Sequence, residues 1–337
     1  MSAPTKEIQA LARSLGFDVI GIARVDANAP HLEGQMAEAP IPLSHSLWER
    51  LRSWLCWGFH AGMSWLERDP YRRSHPESVL PGCRSLVMVG LNYWPKEELP
   101  DSPDIGRVAR YAWGKDYHKI LAEKLKALER AIQELYPGEQ TRRYVDTGPI
   151  MEKPWAQQAG LGWIGKHTNL VSTEFGSWLL LGEILTTAFL DPDEPATDLC
   201  GSCTLCIQAC PTGAIVEPYV LNAQRCISYL TIEHRGTLES FPEGLRKRMG
   251  NKVFGCDDCL DICPFNVHAQ PTKEEAFTPL PFVQKLILDN HQNMTNEDFL
   301  AATRNSPLRR PKHGGFLRNL QIAIHNRKKP TSATPIG

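Results

Sequence analysis

The sequence lacks several features that would assign it to a common class of protein. Its 337 residues contain no apolar run near the ~18 residues that a membrane-spanning helix needs, which excludes a transmembrane protein. The opening residues, MSAPTKEIQA, have no basic segment ahead of an apolar stretch and predict no signal peptide. No G-x-G-x-x-G run follows a predicted strand, and no P-loop is present. A Rossmann dinucleotide site and a P-loop nucleotide site are therefore not predicted.

No charge of one sign dominates either. The formal net charge is −1, and 42% hydrophobic with 22% charged residues is ordinary for a soluble globular protein of about two domains. Ten cysteines without a predicted leader fit a reducing compartment, so we expect a cytoplasmic protein. Cys56 and Cys83 lie apart from the other cysteines and are predicted to be buried apolar residues.

The other eight cysteines form two related motifs between residues 200 and 263. The first reads C-x2-C-x2-C-x3-C-P, a run in which the fourth cysteine ligates a second iron–sulfur cluster. The second motif is an isolated cysteine followed by C-x2-C-x3-C-P. This symmetry predicts two 4Fe–4S clusters. Cluster 1 would take Cys200, Cys203, Cys206 and Cys263, and cluster 2 would take Cys210, Cys226, Cys256 and Cys259.

A pair of structural zinc sites is the alternative, because C-x2-C pairs also bind zinc. Two features favour clusters. The pattern is doubled, and a proline (Pro211 or Pro264) follows the last cysteine of each motif and turns the chain away from the metal.

Helices and strands interleave in the first part of the chain. Thr5 is predicted to cap a helix that ends at Gly16, and residues 17–23 form a short apolar strand. Further strands are predicted at 85–93 and 178–185, with an amphipathic helix at 118–135. An acidic, proline-containing stretch at 190–198 reads as an exposed linker. We therefore predict an α/β domain at 1–190, a cluster domain at 191–270 and a helical, basic C-terminal region at 271–337.

Four long strings in the sequence resemble the epoxyqueuosine reductase family. They are RYAWGKDYH at 110–118, YVDTGPIMEKPWAQQAGLGWIGKHTNL at 144–170, CPTGAIVEPYVLNAQRCISYLTIE at 210–233 and GNKVFGCDDCLDICPFN at 250–266. The resemblance implies an α/β (α+β) cobalamin-binding domain, then a bacterial ferredoxin-like module with two 4Fe–4S clusters, then a short helical tail. It also implies that the chain reduces epoxyqueuosine to queuosine at the wobble position of tRNA.

The corrinoid motif D-x-H-x-x-G is absent, because no glycine follows Asp116-Tyr117-His118 at the required position. No histidine of that motif would therefore ligate cobalt, and an open lower face makes cobalt easier to reduce.

The resemblance makes Asp146 the proton donor. The pattern alone instead favours Asp146 or Thr147 as the cap of a helix that begins near Pro149. A donor working near neutral pH needs its pKa raised, and we expect burial against the corrin to raise it.

The resemblance also places the cobalamin contacts. The glycine-rich segment 160–167 would allow close approach of a large flat ligand, although a tight turn explains its glycines equally well. Ser228 and Tyr229 would bridge cluster and corrin, or form only a helical turn. Trp48, Trp54, Trp57 and Trp65 are predicted to be core residues. The full predicted cobalamin set is Arg68, Ala109, Asp146, Trp163, Gly165, Lys166, His167, Asn169, Ser228 and Tyr229.

A stretch without acidic residues, 304–329, carries eight lysines and arginines. Such a stretch attracts phosphates, or forms only a solvated terminal helix. Arg142 and Arg143 lie shortly before Asp146 and add to this basic stretch. Together they predict tRNA contacts at Arg142, Arg143, Arg309, Arg310, Lys312 and Arg318.

Two other functions remain open from the sequence. One is a reductive dehalogenase-like reductase of a small molecule, which gives the basic tail no role. The other is an electron-transfer protein, which gives Asp146 no role. We expect a monomer that receives electrons from a small donor such as flavodoxin or ferredoxin.

Overall fold

The computed structural model describes residues 2–25 and 46–327. Its strands are β1 Val19–Arg24, β2 Ser85–Asn92, β3 Arg107–Val108, β4 Thr141–Tyr144, β5 Trp163–Ile164, β6 Leu170–Val171, β7 Leu179–Thr186, β8 Ile215–Glu217, β9 Val220–Leu221 and β10 Lys252–Phe254. Its α-helices are α1 Ala3–Ser14, α2 Leu47–Cys56, α3 Pro70–Ser74, α4 Pro76–Val79, α5 Tyr117–Leu135, α6 Glu152–Gln158, α7 Leu205–Ala209, α8 Ile227–Ile232, α9 Glu243–Arg248, α10 Asp258–Asp261, α11 Pro281–Gln284, α12 Leu288–His291, α13 Asn296–Ala302 and α14 Lys312–Arg327.

The central sheet has four antiparallel strands in the order β1-β2-β7-β4. β2 is buried at every position, and β7 is buried except at its first residue, so both read as continuous apolar runs. The strands and the long helix lie within one or two residues of the predicted ranges. Helices α1 and α5 cover one face of the sheet through Ile8, Leu121 and Leu125, and α6 covers the other through Trp155.

Helix α1 begins earlier than predicted. Ser2, not Thr5, occupies the position before the first helical residue. Thr5 is fully buried, and its hydroxyl contacts the Ser2 hydroxyl and accepts a hydrogen bond from the backbone N–H of Asp191. The segment 190–198, predicted as an exposed linker, is instead held against the first domain. Asp193 accepts a hydrogen bond from the backbone N–H of Ile22 at 2.9 Å, and Leu190 is fully buried.

The C-terminal region packs into the rest of the protein. Phe316 and Leu320 of α14 share a core with Phe254 of the cluster region and with Val108 of the first region. The predicted divisions at 190 and 270 are therefore crossed by shared cores, and residues 328–337, which include two of the basic residues, lie outside the described part of the chain.

Two cysteine predictions differ in outcome. Cys83 is buried, as predicted, whereas Cys56 at the end of α2 is exposed. No helix within residues 2–25 and 46–327 is both long and apolar enough to cross a membrane.

Candidate active site

Asp146 lies where two cavities meet. One cavity has a volume of about 1070 Å³, the other about 390 Å³, and both are lined by Trp65, Arg73 and Asp146. The larger cavity continues past His118 to the basic residues that precede α14. We call the two cavities together the cleft.

The loop after β4 presents Asp146 to the cleft. Asp146 has a φ of 57°, in the left-handed region, which aspartate tolerates better than most residues. Its backbone N–H donates to Oε1 of Glu152, the first residue of α6, at 2.7 Å. Gly148 is required two residues later, because a Cβ there would lie 2.5 Å from the ring of Tyr144. The helix predicted near Pro149 begins at Glu152 and has Met151 at its cap position, so Asp146 and Thr147 are not helix caps.

His118 pairs with Asp146 from the start of α5. Its Nε2 lies 3.3 Å from Oδ2 of Asp146, and its Nδ1 lies 2.7 Å from Oδ1 of Asp116. Burial opposes a charge on His118, but the two hydrogen bonds and carboxylate charges outweigh burial and raise its pKa to about 9. The imidazole is therefore protonated at neutral pH.

The same pair has the opposite effect on Asp146. The hydrogen bond from His118 lowers the pKa of Asp146, although burial acts against it. In the protein itself the pKa of Asp146 is therefore lowered, and the rise expected from burial against the corrin stays a prediction. At neutral pH the proton of the pair resides on His118.

The four thiols predicted for cluster 2 line one cavity of about 170 Å³: Cys210, Cys226, Cys256 and Cys259. Helix α8 begins directly after Cys226. Burial raises the pKa of the Cys226 thiol, and hydrogen bonds from the backbone N–H groups of Tyr229 and Ser228 partly oppose that rise. Lys153 and Thr168 line both this cavity and the cleft. Cluster 2 would therefore lie next to the Asp146 site.

The thiols predicted for cluster 1 also come together. Burial raises the pKa of Cys206 to about 11, and the neighbouring Cys200, Cys263 and Cys203 add to the rise. The indole N–H of Trp163 donates to the sulfur of Cys200 at 3.4 Å. Cys263 thus joins the first motif from the far end of the second, as the ferredoxin-like exchange of ligands predicts.

The four thiols predicted for cluster 2 surround a cavity of about 170 Å³, and an iron–sulfur cluster needs such a space because its four irons are spread out. Within the described ranges, no three histidine, cysteine, aspartate or glutamate side chains are close enough to hold one metal ion.

Sequence reasoning missed three contributors to this site. Arg110 donates to Asp257 at 3.2 Å and to Asp261 at 2.6 Å, which ties the cluster 2 loop to the first domain. His118 was considered only as part of an incomplete corrinoid motif. Trp65, predicted as core, is 38% exposed and forms a wall of the cleft. The string RYAWGKDYH contained both Arg110 and His118, but neither spacing nor composition identifies their partners.

Several residues predicted to bind cobalamin lie against the predicted cluster sites. Lys166 is buried and donates to the backbone oxygens of Gly201 at 2.6 Å and Cys203 at 2.9 Å, so it holds the cluster 1 loop. His167, whose pKa burial lowers to about 4, Asn169 and Ser228 line the cluster 2 cavity.

The remaining predicted cobalamin contacts are scattered. Arg68 is exposed, ahead of α3. Ala109 is buried beside a separate cavity of about 390 Å³ that Asp257 also lines. The Gly165 N–H donates to the oxygen of Asn169 at 2.9 Å within the β5–β6 turn, and the Tyr229 hydroxyl accepts the N–H of Gly62 at 2.8 Å.

The basic residues predicted to contact tRNA divide into two groups. Arg143, Arg309, Arg310 and Lys312 line the cleft. Arg143 pairs with Glu129 and Arg310 with Glu233, while Lys312 is exposed. Arg142 is exposed on the edge strand β4 and does not line the cleft.

Arg318 contradicts its prediction. It is 5% exposed, and its guanidinium donates to the backbone oxygens of His234, Gly236 and Leu230 at 2.7 to 2.9 Å. A side chain whose donors are used inside the protein is not available to a phosphate, so Arg318 is a structural residue.

Two family models match the chain. Residues 73–147 match "Epoxyqueuosine reductase QueG, DUF1730", and residues 199–266 match the "4Fe-4S double cluster binding domain". The second match covers all eight cysteines of the two predicted clusters and supports 4Fe–4S clusters over zinc.

Relatives and solved structures agree with these matches. Epoxyqueuosine reductase of Gloeobacter violaceus is 42% identical over 327 residues, which are 96% of each chain. The Escherichia coli epoxyqueuosine reductase is 40% identical over 95% of this chain and 80% of its own. A crystal structure of epoxyqueuosine reductase with an epoxyqueuosine-modified tRNA-Tyr stem loop superposes with a TM-score of 0.84 at 32% identity, over 96% of this chain and 82% of that one. The chain belongs to the epoxyqueuosine reductase family.

Proposed function

We propose that this chain reduces epoxyqueuosine at the wobble position of tRNA to queuosine, using two 4Fe–4S clusters and cobalamin bound in the cleft. The observation that carries the proposal is the position of the His118–Asp146 pair, which faces a cleft separated from the cluster 2 thiols by Lys153 and Thr168. The related enzyme that was solved with an epoxyqueuosine-modified stem loop supports the same substrate.

The cleft suits cobalamin in size and lining. A volume of about 1070 Å³ exceeds what most small substrates fill, and the lining combines apolar side chains such as Met63 and Trp65 with charged groups. The Nε of Arg73 is buried without a hydrogen-bond partner among the described residues, which leaves a donor for a bound group. Cobalamin, when bound, supplies a strongly reducing cobalt centre that the protein has only to position.

The reaction removes the epoxide oxygen as water and consumes two electrons and two protons. The clusters deliver electrons one at a time, and the protons must come from the protein or solvent. His118 holds a proton at Nε2 beside Oδ2 of Asp146. We assign Asp146 as the group that passes this proton to the substrate oxygen, with His118 as its source. A solved structure of the Bacillus subtilis enzyme, in which the loop of a catalytic aspartate is swung out of the active site, supports an aspartate on a loop in this role.

The tRNA would enter from the basic end of the cleft. Arg309, Arg310 and Lys312 lie there and would hold backbone phosphates without reading the base sequence. The modified base would leave its stack and enter the cleft toward Asp146, as chemistry on a base in RNA requires.

Electrons would enter at cluster 1, because the cluster 2 thiols are the ones that adjoin the cleft. Leu205 and Ile262 are exposed, and each directly precedes a cluster 1 cysteine in the sequence. These apolar side chains suit transient contact with a small donor such as flavodoxin or ferredoxin. We propose that the protein works as a monomer in the cytoplasm.

The test is nucleoside mass spectrometry. Protein with reconstituted clusters is incubated anaerobically with tRNA bearing epoxyqueuosine and a strong reductant, with and without cobalamin. We expect queuosine only when cobalamin is present. Absence of product from protein loaded with both clusters and cobalamin would refute the substrate and favour a dehalogenase-like reductase of a small molecule.

A further inference from the structure

Two glutamates behind the Asp146 loop have no role in the chemistry described so far. Glu183 lies within β7, directly opposite Tyr144 of β4, and is fully buried. Helix α6 packs against β7, and its first residue is Glu152, the acceptor of the Asp146 N–H. Two carboxyl groups therefore lie together immediately behind the loop that carries Asp146.

A buried, ionised Glu183 would be unsatisfied. Neither of its carboxyl oxygens has a hydrogen-bond partner among the residues that the structure describes. Around the pair, the charged groups that act on Glu152 are Asp146, Glu183 and Lys153, and those that act on Glu183 are Glu152 and Asp146. Among residues 2–25 and 46–327, no cation compensates Glu183 directly, and an uncompensated buried charge is strongly unfavourable.

The two glutamates differ in burial and in partners. Burial raises the pKa of Glu183 well above its ordinary value, and the neighbouring carboxyl group of Glu152 raises it further. Glu183 is fully buried with both oxygens unpaired among the described residues, whereas Glu152 already accepts the Asp146 N–H through Oε1. The buried, unpaired member is therefore the one that favours the neutral form and can donate, and Glu152 is the member that accepts.

We propose that Glu183 is a permanently protonated positioning residue, whose O–H donates to Glu152 and thereby fixes the carboxylate that holds the Asp146 backbone in its left-handed conformation. The arrangement runs from Glu183 to Glu152 to the Asp146 N–H, and its far end presents the Asp146 carboxyl group to the cleft. This inference rests on the proposed function only for its effect on turnover, because the protonation of Glu183 is a property of the protein itself.

The first experiment is infrared difference spectroscopy of the cluster- and cobalamin-loaded protein. At about pH 8 an ordinary glutamate or aspartate is ionised, so a carbonyl band of a protonated carboxylic acid would identify an unusual group. We expect this band in the wild type and in the control Glu134→Gln, which alters an exposed glutamate, and its loss in Glu183→Gln. An unchanged spectrum in Glu183→Gln would overturn the proposal.

The second experiment separates positioning from simple packing. Glu183→Gln keeps a donor toward Glu152 and should retain most of the turnover, whereas Glu183→Met fills the site without a donor. We expect kcat to fall about tenfold in Glu183→Met with little change in KM, a loss of the size expected for a hydrogen bond to a charged group. In a Glu152→Ala background the same substitution should have no further effect, because the path to Asp146 is already broken.

The outcomes are distinguishable from failure of the proposed function. An equal loss from Glu183→Met in both backgrounds would show that Glu183 does not act through Glu152. If the wild type made no queuosine at all, the infrared band would still test the protonation of Glu183. Amide hydrogen exchange at Asp146 would still test the hydrogen bond to Glu152, and exchange no faster in Glu152→Ala would overturn it.

Discussion

Replacing His118 with glutamine should remove a specific part of the pH dependence of stability. His118 lies between Asp116 and Asp146, and these contacts raise its pKa from 6.5 to about 9. A histidine whose pKa is higher in the folded than in the unfolded state stabilises the protein fully below pH 6.5. That contribution is lost as the pH rises through about 9.

The size of the effect follows from the shift and the exposure of the groups. At 1.36 kcal/mol for each pKa unit, the shift corresponds to about 3 kcal/mol as an upper bound. The side chain of His118 is 33% exposed and that of Asp146 is 60% exposed, so solvent screens the interaction. We therefore expect about 1 to 2 kcal/mol.

The assay is chemical unfolding at a series of pH values. Between pH 6.5 and about 9, the free energy of unfolding of the wild type should fall by about 1 to 2 kcal/mol relative to that of His118→Gln. Other groups that titrate in this range cancel in the difference between the two proteins. The control His268→Gln changes an exposed histidine and should follow the wild type. Parallel pH curves for the wild type and His118→Gln would refute the reasoning.

Three further changes test separate parts of the site. Asp146→Asn should abolish queuosine formation, measured by nucleoside mass spectrometry, while iron content and cobalamin binding stay at wild-type levels; full activity would exclude Asp146 as the proton-passing group. Cys226→Ala should lose one cluster and about half of the iron, measured by iron analysis, because the other set of four thiols is intact; loss of all iron would mean that the two clusters assemble together. Arg309→Ala should weaken tRNA binding and reduce the slope of log affinity against log salt concentration by about 1. Arg318→Ala should instead chiefly lower the midpoint of thermal unfolding, because its guanidinium binds backbone oxygens inside the protein. The opposite pattern would reverse the two assignments.

Features set by local spacing were predictable from the sequence. A cluster requires thiols at short, fixed separations, so the two cysteine motifs predicted two sets of four thiols, and the structure brings Cys210 beside the second motif and Cys263 beside the first. Strands such as β2 were found because burial on both faces makes the whole run apolar.

Features set by contacts between distant residues were not predictable. Arg318 and Lys312 both belong to a basic helix, but only the packing of α14 reveals that Arg318 faces backbone oxygens while Lys312 faces the cleft. Likewise, the lowered pKa of Asp146 depends on His118, which a different element brings to within hydrogen-bond distance. Neither the number of basic residues in the tail nor the position of Asp146 after a strand reveals these contacts.

The residues that we propose to transfer protons come from different elements than the residues that we propose to bind the clusters. His118 comes from the start of α5 and Asp146 from the loop after β4, whereas the thiols beside the cleft come from the cysteine motifs. Lys153, the residue after Glu152, contacts both regions, since it lines the cluster 2 cavity and the cleft and donates to Asn169 at 2.9 Å. Because the two sets lie on separate elements, a defect in proton transfer should leave cluster reduction intact. Substitution of Lys153 should disturb both.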